Sequence, residues 1–107
     1  MAISAQLPEA TQQDSQREFQ RIPGIGPSIS EDLWRLGYSC VAELRGEEPE
    51  AMYQRLCEVS GGHVDRCVLY VFRCAVYFAS NDSRDPELLK WWNWSDQRIA
   101  GRDQINP

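Results

Sequence analysis

Residues 19–33 read FQRIPGIGPSISEDL, and this stretch decides the fold that the sequence predicts. Its apolar residues recur at a spacing that keeps one face buried through a bend: Phe19, Ile22, Ile25, Ile29 and Leu33. Gly24 and Gly26 fall where the backbone has to turn sharply and where a side chain would block a close approach. The stretch therefore predicts a helix, a tight glycine turn and a second helix.

Two S-x-x-E patterns predict where these helices begin. Ser15 with Glu18 marks the first helix and Ser28 with Glu31 marks the second, because a hydroxyl and a carboxylate at this spacing cap a first turn. Glycine commonly follows the last residue of a helix, so the second helix is expected to end just before Gly37.

The rest of the chain predicts more helices and no strand. A short connector helix is expected at 40–45, a longer helix at 49–59, and the most apolar helix at 64–79, which would form the centre of the core. Pro86 opens a short last helix that carries the tryptophans. The predicted fold class is therefore all-α.

The predicted order suggests a duplicated unit. Helix, glycine turn and helix occur at 15–36 and, more loosely, at 49–79, with the connector helix between them. This is the layout of a tandem helix-hairpin-helix (SAM-like) domain. We place that domain at 14–95, between a flexible N-terminal arm at 1–13 and a flexible C-terminal tail at 96–107, both of which are polar and lack periodicity.

Composition indicates one soluble domain. The chain has 107 residues, of which 42% are hydrophobic, enough for a single modest core. The best candidate for a membrane span, 67–79, is too short and contains Arg73. The N-terminus lacks the basic start and apolar run of a signal peptide. These features predict a cytoplasmic protein that does not bind a membrane.

The charge limits the kinds of partner. The net charge is −5, which argues against a general charge-driven nucleic-acid binder, because such binding displaces counterions with Lys and Arg. A small local contact with phosphate is still compatible with this charge.

The cysteines and the single histidine predict no cofactor. None of the four cysteines forms a C-x-x-C pair, and reduced thiols that fill a core are expected. A metal site from Cys57, His63, Cys67 and Cys74 is the alternative, although its spacing fits no standard zinc pattern. His63 has no recognisable catalytic partner, so no catalytic residues are assigned and the protein is expected not to be an enzyme.

Four segments carry a resemblance to a known family: IPGIGPSI at 22–29, EDLWRLG at 31–37, DRCVLYVFRCAVYF at 65–78 and LKWWNW at 89–94. Together they resemble the bacterial "pathogenicity locus" family, small helix-hairpin-helix proteins often labelled mitomycin-resistance proteins. The resemblance runs from about residue 19 to 95. It implies the helix-hairpin-helix fold and a link to DNA, and it implies no particular reaction.

The glycine turn is the first candidate site. Bare amides at the start of a helix, together with the positive helix end, hold phosphate groups well. The predicted nucleic-acid contacts are the amides of the first turn, two arginines before it, and the second glycine pair with its following arginine: Gly24, Ile25, Gly26, Ser28, Arg17, Arg21, Gly61, Gly62 and Arg66. Against this, Pro27 lacks an N–H, and Glu31 and Asp32 would repel a phosphate. The alternative is a hairpin that only joins two helices or binds a protein.

A stripe on the long helix is the second candidate. Arg66, Tyr70, Arg73 and Tyr77 share one face and alternate guanidinium and aromatic groups, as a surface for stacking bases and pairing phosphates would. The alternative is that these arginines pair with carboxylates and rings of the same molecule. Of the nearby tryptophans, one is expected to fill the core, and Trp94 is a candidate for the stacking or partner surface.

Two functions follow from these sites. The first is a small non-enzymatic protein that contacts DNA backbone phosphates without sequence preference. The second is a protein-interaction module in which the hairpin is only structural. Its partner would meet exposed aromatic residues or an acidic surface formed by Glu43, Glu47, Glu48 and Glu50.

Overall fold

The computed structural model describes residues 11–105, and the side chains of residues 11–100. This part of the chain is all-helical, as predicted, and forms five α-helices. They are α1 (Gln12–Phe19), α2 (Pro27–Arg35), α3 (Pro49–Ser60), α4 (Arg66–Ser80) and α5 (Asp96–Ile105). Short 3₁₀ turns lie at Val41–Leu44, Pro86–Leu89 and Trp91–Trp94. Every helix in this range is too short or too polar to cross a bilayer.

The first helix begins earlier than the sequence predicts. Thr11 is its N-cap, and the Thr11 hydroxyl accepts a hydrogen bond from the amide of Asp14 at 3.1 Å. Ser15, the predicted cap, is instead buried inside α1, where its hydroxyl donates to the carbonyl of Ser39 at 2.7 Å. The predicted capping box is therefore wrong, because Thr11 offers an equally good cap one turn earlier.

The second helix also starts without its predicted capping box. Gly26 is the N-cap and Pro27 is the first helical residue, a position for which the fixed φ of proline is suited. Ser28 therefore lies within the first turn and is exposed. The predicted end is confirmed: Gly37 has a φ of +101° and Tyr38 donates to the carbonyl of Leu33 at 3.1 Å, which closes the helix.

One core joins the first hairpin to the longer helices. The apolar face predicted from residues 19–33 is confirmed, with Ile29 partly buried and its other members fully buried. The core is completed by residues that follow α2 and by residues of the turn at Val41–Leu44, of α3, of α4 and of the turn at Trp91–Trp94: Leu36, Tyr38, Leu44, Met52, Leu56, Val71, Phe72, Ala75 and, at its edge, Trp91.

The long helix α4 is buried on two sides, which the sequence analysis missed. It packs against α3 and against the 3₁₀ turn at 91–94. Leu69, Phe72 and Cys74 are fully buried. Cys67, predicted to face inward, is exposed in the first turn. A single-stripe pattern fails here because more than one neighbouring element covers the helix.

We call residues 86–95 the tryptophan segment. Its two 3₁₀ turns are held together from inside: the Asn93 amide donates to the carbonyl of Glu87 at 2.7 Å, and the Trp94 indole donates to the carbonyl of Leu88 at 2.8 Å. Asn93 is buried, and its hydrogen bonds offset the free-energy cost of removing its polar side chain from water.

The region predicted as a tail, 96–107, contains helix α5. Ser95 caps it, because the Ser95 hydroxyl accepts from the amide of Arg98 at 3.3 Å and the Ser95 carbonyl accepts from Ile99 at 3.0 Å. The predicted arm at 1–13 lies mostly outside the described residues, and its last two residues belong to α1. The flexibility assigned to both ends stays a prediction.

The helices follow the predicted order of two units. Helices α1 and α2 pack together across the glycine turn, α3 packs against α4, and the turn at Val41–Leu44 lies between the pairs. The assignment of this arrangement to a tandem helix-hairpin-helix fold stays a prediction.

The glycine turn is supported by the opposite end of the chain. Gly24 has a φ of +92°, a conformation that residues with a side chain rarely adopt. A Cβ atom built on Gly24 would lie 2.8 Å from Cδ1 of Trp91. Gly26 differs, because its φ is −102° and a Cβ atom there would meet no atom within 4 Å. Only Gly24 is therefore required to be glycine by the packing.

We predict that Gly24→Ala lowers the free energy of unfolding by about 1–3 kcal/mol, because it combines a left-handed alanine with a clash against Trp91. The matched variant Gly26→Ala should change it by less than about 1 kcal/mol, since reduced chain entropy and a poorer N-cap oppose each other. Urea unfolding followed by circular dichroism measures both. Equal losses of unfolding free energy in the two variants would contradict the contact between Gly24 and Trp91.

Candidate nucleic-acid interface

The glycine turn presents free backbone donors. The amide of Ile25 is already used, because it donates to the carbonyl of Ile22 at 3.1 Å. The amides of Gly24, Gly26 and Ser28 have no acceptor among residues 11–105. Gly24 and Ser28 are exposed and Gly26 is partly exposed. Three of the four predicted amides therefore have no hydrogen-bond acceptor within the described part of the chain.

Two arginines lie on the same hairpin. Arg17 is in the last turn of α1 and Arg21 is at the start of the glycine turn, and both are exposed. Within the described side chains, neither has a carboxylate at ion-pair distance. Their charges are therefore not neutralised by a contact in this part of the protein.

The two acidic residues of α2 differ in their surroundings. Asp32 is mostly buried, with 19% of its side chain exposed, and lies 3.7 Å from Arg35. Burial raises its pKa above the ordinary value, and Arg35 acts in the opposite direction. Glu31 is exposed. Glu31 is thus the carboxylate that would oppose an anion near the turn.

The second glycine pair does not offer the same donors. Gly61 has a φ of +76° and ends α3, its amide donating to the carbonyl of Glu58 at 3.2 Å. The amide of Gly62 donates to the carbonyl of Cys57 at 3.2 Å. Both predicted amides therefore close a helix and are not free for a phosphate.

Three residues of the stripe on α4, Arg66, Tyr70 and Arg73, contact one carboxylate at the start of α5. Asp96 receives a forked contact from Arg66, with Nε at 2.8 Å from one oxygen and Nη2 at 3.1 Å from the other. Arg73 Nη1 lies 3.0 Å from it, and the Tyr70 hydroxyl donates to it at 3.2 Å. These contacts lower the pKa of Asp96 to about 2, with the Arg66 hydrogen bonds as the largest cause.

Arg73 is the most enclosed cation of the stripe. Only 11% of its side chain is exposed, and it also contacts Glu50 at 3.0 Å and the carbonyl of Trp94 at 2.9 Å. Its guanidinium lies 5.7 Å from the centre of the Tyr70 ring. The structure therefore supports the alternative in which the stripe pairs within the molecule.

A shallow apolar cavity continues from the stripe. It has a volume of about 270 Å³ and is lined by Pro49, Arg73, Val76, Tyr77, Ser80, Trp94 and Ile99. Tyr77 and Trp94 form one wall, with ring centres 5.5 Å apart. The Tyr77 hydroxyl accepts from the amide of Asp85 at 2.7 Å, which fixes that ring.

The exposed tryptophan is Trp92, whereas the sequence predicted Trp94 for the stacking or partner surface. Trp94 lies against Tyr77, and Trp91 packs on the core and on Gly24. Trp92 is 51% exposed and meets Trp91 edge to face, with ring centres 5.8 Å apart. Successive residues of a helical turn point in different directions. The sequence therefore predicts that one tryptophan ring points outward, but it does not determine which tryptophan that is.

No group of three metal-binding side chains comes together in the described part of the chain, so Cys57, His63, Cys67 and Cys74 do not form the alternative metal site. Cys74 is buried, and burial raises its pKa to about 11, which makes it an unreactive thiol at neutral pH.

We predict that Asp96 contributes an acid-sensitive part of the stability. Its pKa lies below the ordinary value of 3.8, so this contribution is complete above about pH 4 and is lost as the pH falls towards 2. Asp96→Asn should cost about 1 kcal/mol or less at neutral pH, because Asp96 and Arg66, its main partner, are each about half exposed.

The measurement is urea unfolding of both proteins from pH 6 to pH 2, a range that spans the two pKa values. The gap between wild type and Asp96→Asn should close as the pH falls. Asp82→Asn, which removes an exposed loop carboxylate, serves as control and should leave the pH dependence unchanged. A constant gap would contradict the role of Asp96.

Comparison with known proteins identifies the family. The model of the family described as "Pathogenicity locus" matches residues 12–100. A relative from Streptomyces lavendulae, named "Mitomycin resistance protein McrB", is 28% identical over 81 residues, which cover 76% of this chain and 73% of the relative. No solved structure gives a significant match. Since the family model spans most of the chain, the protein belongs to the Pathogenicity locus family.

Proposed function

We propose that this chain is a small non-enzymatic protein of the cytoplasm that contacts DNA backbone phosphates through the glycine turn, without sequence preference. The observation that carries this proposal is the exposed turn, where the amides of Gly24, Gly26 and Ser28 lack an acceptor among the described residues. On the same hairpin, Arg17 and Arg21 lack an ion-pair partner among residues 11–100. We also assign α1–α2 and α3–α4 as tandem helix-hairpin-helix units.

The chemistry of such a contact is simple. A phosphate oxygen would accept from the amides at the start of α2, where the helix end is positive. The two arginines would add charge beside it. These groups recognise the backbone that all sequences share, so the contact positions the protein and reads no bases. With a net charge of −5, modest affinity is expected.

Trp91 would affect ligand binding at the glycine turn in two ways. Its ring occupies one flank of Gly24, so a ligand would approach the turn from the opposite side. The same contact holds Gly24 in its left-handed conformation, which keeps the amides fixed before a ligand arrives. A preorganised donor loses less entropy on binding.

Gly26 provides the sharpest test of the turn, because a side chain fits there without meeting another atom. In Gly26→Asp the new carboxylate would cap α2 and place a negative charge on the free amides. We predict that this variant stays folded and binds a short labelled DNA duplex at least about tenfold more weakly, because the contact is charge-driven. Gly26→Asn, of the same shape without the charge, is the matched control and should lose less.

Fluorescence anisotropy over a salt series measures these affinities. If the turn and its arginines neutralise about two phosphates, log K should fall with log salt with a slope near −2. Arg21→Gln should reduce that slope by about 1. Wild-type affinity in Gly26→Asp, or binding that ignores salt, would remove the turn from the interface.

An exposed aromatic residue favours a second function, a protein-interaction module. Trp92 has half of its surface exposed next to Trp91, and tryptophan is frequent at the centre of protein interfaces. In this function the glycine turn would be structural, and the partner would bury the Trp92 ring.

A photo-crosslinking amino acid at position 92 tests this second function in cells of the source organism. A specific adduct with one protein is expected there, and none when the same amino acid replaces Asp82 in the exposed loop. Absence of any protein adduct from position 92 would contradict the interaction module.

A further inference from the structure

The described side chains of helix α5, at residues 96–100, make few apolar contacts. Among its described side chains only Ile99 is partly buried, while the others are exposed. Its remaining contacts are polar: Asp96 with the α4 stripe, and Arg98 with the Asn93 side chain at 2.9 Å. Elements with few buried apolar contacts open at low free-energy cost. By this criterion the first turn of α5, at residues 96–100, is weakly held on the rest of the fold.

The site that Asp96 occupies is built for an anion. A guanidinium fork, a second guanidinium and a phenol hydroxyl surround one carboxylate: Arg66, Arg73 and Tyr70. Arg66 is also the first residue of α4, at a positive helix end, where a cation is unfavourable until an anion joins it. The same donors suit a phosphate, which accepts from arginine forks as a carboxylate does.

The surroundings of this site suit unpaired bases. Tyr70 and Tyr77 lie on the same face of α4, and Trp94 covers Tyr77 beside the apolar cavity. Ile99 of α5 forms part of the cavity wall, so movement of α5 would open the cavity as well as the arginines. Aromatic faces stack on bases only when those bases are not already paired, which favours a single strand over a duplex.

We propose that α5 is an autoinhibitory element, in which Asp96 occupies a phosphate site formed by Arg66, Tyr70 and Arg73 that binds single-stranded nucleic acid once α5 is displaced. The class of ligand rests on the proposed nucleic-acid function. The surface is a different one, since it lies on α4 and not on the glycine turn.

Displacing Asp96 breaks its ion pairs with Arg66 and Arg73, and the two pairs differ in exposure, since only 11% of the Arg73 side chain is exposed. In the Arg66–Asp96 pair, 51% and 47% of the two side chains are in contact with solvent. Exposed ion pairs contribute little to stability. A strand supplies successive phosphates and bases, so it can replace the carboxylate and add stacking that Asp96 cannot provide. Glu50 keeps its contact with Arg73 and limits the gain.

The test compares wild type with Asp96→Asn for binding of a fluorescein-labelled oligothymidylate, measured by fluorescence anisotropy over a salt series. Asp96→Asn should bind about three- to tenfold more tightly, with a salt slope steeper by about 1, because one more phosphate is neutralised. Adding Arg66→Gln to Asp96→Asn should abolish the gain. Glu58→Gln, which removes an exposed carboxylate on α3, makes the same change in net charge and should give no gain.

A second variant protects the test against loss of folding. Ile99→Ala loosens α5 without touching the ion pairs and should also raise the affinity, though by less. Circular dichroism confirms which variants are folded. If folded Asp96→Asn and Ile99→Ala both bind no more tightly than wild type, the autoinhibition is wrong. If Asp96→Asn does not fold, the result for Ile99→Ala decides.

A further pair of measurements separates this inference from the proposed function. The gain in Asp96→Asn should persist when Gly26→Asp is added, and it should be smaller for a duplex than for a single strand. Loss of the gain with Gly26→Asp would place the strand on the glycine turn and overturn the α4 site. Wild-type protein could bind a duplex in a way that depends on Gly26, while Asp96→Asn shows no gain in affinity. That result would support the proposed function and reject autoinhibition.

Discussion

The contact between Trp91 and Gly24 is the constraint on which the arrangement of this molecule depends. It fixes a left-handed glycine against an indole ring and so joins the first hairpin to the tryptophan segment. The tryptophan segment in turn packs on α4, which also packs against α3. Through this chain of contacts, the shape of the glycine turn is determined by tertiary packing as much as by its own residues.

Charge divides the surface into two regions with different behaviour. On the hairpin, Arg17 and Arg21 have no ion-pair partner among the described residues. On α4, Arg66 and Arg73 are bound to Asp96, whose pKa falls to about 2 as a result. Counting arginines therefore overstates how much positive charge is available. An acidic protein of this kind can still offer a local site for phosphate, provided that its cations are arranged as on the hairpin.

Local sequence patterns predicted which segments form helices. They predicted the N-caps of those helices and the contacts of the candidate site less well. The apolar spacing from Phe19 to Leu33 and the glycine at 37 specify burial and helix end directly, because both depend on neighbouring residues. The two capping boxes failed, since Thr11 and Gly26 hold the N-cap positions that were predicted for Ser15 and Ser28. The role of Asp96 was not predictable, because its partners lie on another helix and only the folded chain brings them together.

Gly24 and its supporting ring lie near opposite ends of the chain. While the ribosome makes the protein, α1 and α2 emerge long before Trp91, so the turn first forms with one flank open to water. Contacts between such distant residues close late, because the loop between them costs entropy. The final shape of the hairpin is therefore set only after Trp91 has been made, and a chain released before that residue would carry the same glycines without the ring that packs on them.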